Sequence, residues 1–150
     1  MSISKRRVVL SGLIAGPIEL VLKIIEGQIY LQSLLREALE PVNPAWMANV
    51  GSAPGMIGFI LITLLLGVSH MYIYAAMRPC FDARLAAVVS AALAAWTIGA
   101  LSWSLVAVIG IFTWWHIGVE ATLTLGNMLI AIYAGSMIYK RASAGPPEGP

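Results

Sequence analysis

The sequence is poor in charge. Asp, Glu, Lys and Arg make up 11% of its 150 residues, where a soluble domain carries about a quarter. Hydrophobic residues make up 59%, and the mean hydropathy is +0.85. That balance excludes an ordinary soluble domain and indicates the membrane class. Cysteine is scarce as well. The lone Cys80 excludes an internal disulfide framework and a multi-cysteine metal site. Between Pro79 and Phe81 it reads as an inert loop thiol. The net charge of +2 is too small to point to nucleic acid, and no basic patch is interleaved with aromatics. Also missing are a phosphate loop, a nucleophile elbow and a Ser-His-Asp set, so no catalytic residue can be named.

What is present is apolar sequence in four long segments. A bilayer-spanning helix needs about 20 apolar residues, and the segments run over 8–34, 54–77, 85–110 and 114–139. The predicted fold class is all-α: a polytopic membrane protein, an antiparallel bundle of four transmembrane helices. This domain takes residues 1–141, leaving a Gly/Pro-rich tail at 142–150 that is expected to be disordered. Lys5-Arg6-Arg7 before an apolar run imitates a signal peptide. Glu19 and Lys23 fall where cleavage should begin and no Ala-x-Ala site follows, so the segment is expected to be retained.

Residues 35–53 read as the one substantial loop, because Pro41 and Pro44 break a helix. The loop is a tether or a small lid, and Trp46 and Met47 suit the headgroup level. Basic residues set the orientation. Lys5, Arg6, Arg7, Arg78, Arg84, Lys140 and Arg141 lie at one end of the predicted bundle, and Arg36 alone lies at the other. The positive-inside rule then puts both termini in the cytoplasm and the 35–53 loop outside.

The few polar residues inside the segments are patterned. Glu19, Lys23 and Glu26 are spaced four and three, on one face of the first helix together with Gly12 and Gly16. In the second segment Thr63, Gly67, His70 and Tyr74 share a face. In the fourth, His116, Glu120, Thr124 and Asn127 form a stripe. At ~1.5 Å per residue, Glu26 and Glu120 lie about 10–13 Å below the outer ends of their spans. On the same rise Lys23, Thr124 and Asn127 lie about 15–20 Å down, and Glu19 and His70 about 22–24 Å. The matching depths predict that the stripes of segments 1 and 4 face each other.

An intramembrane charge is by default a site hypothesis. On that reading Glu19, Lys23, Glu26, His70, His116, Glu120, Thr124 and Asn127 line a substrate- or ion-binding pocket with Lys23 at its centre. On the structural reading Lys23 pairs with Glu19 and Glu26 in its own helix and Glu120 bonds to nearby hydroxyls, which fixes which faces meet. Three acids face one lysine, so at least one acid is expected to hold a proton or to touch water. Glu120, with only His116 within a turn, is the expected one.

No cofactor and no metal are expected. His70 and His116 differ by about 20 Å in depth, so one haem cannot use both. His116 and Glu120 make half of a zinc site without a third ligand. Trp96 and Trp103 are packing or a ligand wall, while Tyr72, Tyr74, Trp114 and Trp115 fit interfacial anchors. Segment 3, rich in alanine, permits close packing.

One resemblance can be stated. Met71-Tyr72-Ile73-Tyr74-Ala75-Ala76-Met77-Arg78-Pro79, with Gly12-Leu13-Ile14-Ala15-Gly16 and Gly118-Val119-Glu120-Ala121-Thr122-Leu123, is similar to a pattern in small uncharacterised four-helix bacterial inner-membrane proteins. That group often has Arg-Phe-Gly after Arg-Pro, where this chain has Cys80-Phe81-Asp82. The resemblance implies the architecture and no chemistry.

The expected function is that of a small integral membrane protein without its own catalysis: a subunit, scaffold or lipid/small-molecule binder. The alternatives are an oligomeric proton- or cation-linked carrier and a membrane enzyme on a lipid or quinone, with Glu120 and His116 as acid and base. Membrane lipids are the expected partners, with a protein subunit or further copies of the chain beside them.

Overall fold

The computed structural model describes residues 4–41, 45, 48–49 and 51–141. Trp46, Met47 and the 142–150 tail lie outside those residues. The chain is all-helical over the described residues: α1 (Lys5–Glu26), α2 (Gln32–Leu39), α3 (Ala53–Met77), α4 (Arg84–Val108) and α5 (Trp114–Arg141). Among the described residues four helices are long and apolar enough to cross a membrane. They span Lys5–Tyr30, Ala53–Cys80, Arg84–Val108 and Trp114–Tyr139, with mean hydropathies of 2.1, 2.1, 1.8 and 1.5.

The helix boundaries follow local chemistry. Ser52 caps α3, its Oγ accepting the Gly55 N–H at 3.2 Å, and Pro54 sits in the first turn where its missing N–H does no harm. At the other end a 3-10 turn over Arg78–Cys80 closes the helix, and the Arg78 guanidinium donates to the Phe81 carbonyl. Gly110, at φ +80°, makes the turn from α4 to α5 in a backbone region that suits glycine. Pro17 lies inside α1 without ending it.

Two boundaries differ from the sequence reading. The first helix starts at Lys5 rather than residue 8, and it does not stop at 34. A π-helical turn over Gly27–Leu31 joins α1 directly to α2, so the chain is helical as far as Leu39. Ala38 and Leu39, with Tyr30, pack onto buried Ala107, Phe112 and Ile117 at the α4–α5 turn. The start of the 35–53 segment is therefore a cap over one end of the helices, not a tether. Pro41 does end the helix, two residues after Leu39.

Helix α1 packs most extensively on α3 and α5, and α4 packs on α5 and α3. The buried positions of α1 are Val8, Ser11, Gly12, Ala15, Gly16, Glu19 and Glu26, a stripe at spacings of three, one and seven. The face of α4 turned inward is Ala87, Ala91, Ala92 and Ala95 around Val88. These small residues let the helices approach, and Met71, Tyr74, Met128 and Ile132 fill the space between them. The α1–α3 crossing is the tightest contact. A Cβ on Gly67 would lie 2.4 Å from the Gly16 Cα, and one on Gly12 would lie 2.5 Å from the Val68 Cα. Only glycine permits this backbone approach. Large apolar side chains point outward, among them Leu65, Ile98, Leu101, Leu105 and Val108.

Candidate functional site

Helix α1 sends its polar residues to two different neighbours. Glu19 meets α3, where its Oε2 is 3.1 Å from His70 Nδ1, and both side chains are almost fully buried. Side chains on a helix lean toward its N-terminus. Gly16 abuts Gly67 at the crossing, and the pair closes over that contact. This bond fixes the imidazole, because a carboxylate on one ring nitrogen sets the tautomer and orientation.

Lys23 and Glu26 meet α5. The Lys23 ammonium donates to Glu120 Oε1 at 2.9 Å and to Thr124 Oγ1 at 2.8 Å, and Glu26 Oε2 lies 3.1 Å away. Thr124 in turn donates to Glu120 Oε1 at 3.1 Å, and Asn127 Nδ2 donates to Glu26 Oε2 at 2.8 Å. An ammonium has three N–H bonds, and Lys23 has three acceptors. Its side chain is 17% exposed, against 4% for Glu26 and 9% for Glu120. The Glu26 and Glu120 carboxyl groups thus meet on one ammonium.

Of the eight residues expected to form one site, the structure therefore brings Lys23, Glu26, Glu120, Thr124 and Asn127 into a single network. Glu19 and His70 form a separate pair. His116 joins neither: its backbone N–H is held by Thr113 Oγ1 at 3.4 Å, and its Nδ1 is buried without a hydrogen-bond partner among the described residues. Two expectations are corrected. Lys23 pairs across the interface with Glu120 and not with Glu19. Glu120, expected to lack a base, is bonded to Lys23 from the facing helix.

The aromatic residues divide differently from the sequence reading as well. Tyr74, expected at an interface, is 1% exposed and packs edge-on against Tyr139 at 5.7 Å. Trp96 donates through Nε1 to the Ala121 carbonyl at 2.7 Å, tying α4 to α5. Trp103 lies edge-on to Phe112 below the cap. Trp114 and Trp115 are exposed. Among the described residues no group of three or more His, Cys, Asp or Glu side chains is placed to hold a metal.

The class of molecule this defines is, over the described residues, an all-helical protein with four apolar helices, a buried polar network joining α1 to α5 and a separate buried pair joining α1 to α3. Comparison with known proteins takes the description no further: no family model, no curated protein and no solved structure matches the chain.

Proposed function

We propose that the protein is a multi-pass protein of the inner membrane, an antiparallel bundle of four transmembrane helices with both termini in the cytoplasm, and that it acts by binding rather than by catalysis, as a subunit or scaffold. Helix direction is supported by the pairing of Gly12 with Val68 and Gly16 with Leu64, in which one number falls as the other rises. Orientation rests on the basic residues, which gather at the end carrying the termini.

The observation that carries the binding reading is the use made of the interior charges. Glu19, Lys23, Glu26, His70 and Glu120 all take partners on another helix or within their own network. Polar contacts of this kind hold helices together where the surrounding lipid is as apolar as the side chains. The outward surface is left to large apolar residues, which suits contact with lipid or with an apolar partner helix. Native mass spectrometry of the protein, gently solubilised from its own membrane, tests this. Added mass from a second protein or a retained lipid is the expected result. A bare monomer would overturn the subunit reading.

A second reading, a proton- or cation-linked carrier, is favoured by one observation. Glu26 Oε1 and Glu120 Oε2 are buried without a hydrogen-bond donor among the described residues. Reconstituted vesicles containing a pH-sensitive dye would report a flux, and Glu120→Gln would abolish it.

A further inference from the structure

The network of α1 and α5 does not balance as drawn, in charge or in hydrogen bonds. Two carboxylates and one ammonium leave one negative charge in a low-dielectric interior, an unfavourable state. The donors are also unevenly shared. Lys23 and Thr124 both serve Glu120 Oε1, while Lys23 and Asn127 both serve Glu26 Oε2. The other oxygen of each carboxyl, Glu26 Oε1 and Glu120 Oε2, is buried and receives no donor among the described residues. Both side chains are at least nine-tenths buried, and the two carboxyl groups meet on the same ammonium, Glu26 at 3.1 Å and Glu120 at 2.9 Å from Lys23 Nζ.

We propose that Glu26 and Glu120 form a binding site for a single proton, held between Glu26 Oε1 and Glu120 Oε2 beside the Lys23 ammonium. One proton makes the group neutral and gives both unserved oxygens a hydrogen bond. A carboxylic acid donating to a carboxylate is a short, charge-assisted bond. A metal cation in the same place would face the ammonium at close range, whereas a proton lies between the acids.

Among the described residues no other charged side chain is bonded to either acid. Helix α3 offers His70, which is engaged with Glu19. Helix α4 has only Arg84, at the far end on the Tyr133 hydroxyl. In α2, Arg36 and Glu37 are exposed. His116 lies one turn from Glu120 toward the capped end, and its buried, unpartnered Nδ1 is suited to pass the proton in and out. The π-helical turn begins directly after Glu26. Such turns recur at functional positions because they loosen the backbone ladder locally. The proton site stands whether or not anything is transported.

Infrared difference spectroscopy of the full-length protein in lipid nanodiscs tests it through the carbonyl stretch of a protonated carboxylic acid. The wild type is expected to show this band, shifted in D2O. Glu26→Gln and Glu120→Gln are each expected to remove it completely, because either change leaves one carboxylate on one lysine with no need of a proton. Glu19→Gln is expected to leave it in place. Absence of the band in the wild type, or its survival in either of the first two variants, overturns the proposal. Should those variants fail to fold, Glu120→Asp, which keeps the acid, decides: the band should shift in frequency, and a band unchanged in position overturns the sharing.

Discussion

Helix α1 has two interfaces, and they are built on opposite principles. Against α3 it presents Gly12 and Gly16, so close that Gly67 has no room for a Cβ. Against α5, in the half nearer the cap, it presents Lys23 and Glu26, which reach their partners through long side chains. The first interface is specified by the absence of atoms and the second by their presence. For helices set in lipid, as proposed above, apolar side chains gain little by leaving their surroundings, and these are the two means of holding them together. The contrast makes a simple demand. Adding an atom should break the α3 side, and removing one should break the α5 side.

The largest effect is expected at Lys23. Lys23→Met leaves two buried carboxyl groups and Thr124 without their shared donor. Removing one partner of a buried ionic network costs about 3–5 kcal/mol. Thermal unfolding in detergent should show a clearly lowered transition. A variant that melts with the wild type would mean that Lys23 reaches water and that the α5 side is not held by charge.

Gly67→Ala comes next. The added methyl would lie 2.4 Å from the Gly16 Cα and amide nitrogen, and backbone cannot move aside as a side-chain tip can. Overpacking of this kind costs about 1–3 kcal/mol. Gly99→Ala is the matched control, since a Cβ there meets nothing within 4 Å. If the two variants unfold alike, the tight crossing does not govern stability.

This pair also marks how far the sequence could be read. Gly67 and Gly99 look alike as residues in apolar segments, and only the facing helix distinguishes them. The stripes were legible: spacing and depth put Lys23 and Glu26 opposite Glu120, Thr124 and Asn127, and the structure joins them. The similar depths of Glu19 and His70 likewise anticipated neighbours. The choice of partners was not legible, because a lysine stem reaches either an acid four residues back or one on the next helix. The cap over the α4–α5 turn was hidden as well. Two prolines marked a loop, whereas the π-helical turn that carries α2 onto Phe112 and Ile117 has no sequence signature.

The smallest effect sharpens the contrast most. Thr124 both accepts from Lys23 and donates to Glu120, so Thr124→Val removes two hydrogen bonds while keeping the shape. Intramembrane hydrogen bonds average about 0.6 kcal/mol and reach about 1.7, so a loss of about 1 kcal/mol is expected. In the double variant Thr124→Val with Gly67→Ala the losses should simply add, because the steric and polar contacts lie at different levels of α1 and share no partner. Unfolding measurements on the two single variants and the double variant would reveal a coupling. A coupling above about 0.5 kcal/mol would mean that α1 shifts as a rigid rod, and that the crossing at α3 sets how well Lys23 reaches α5.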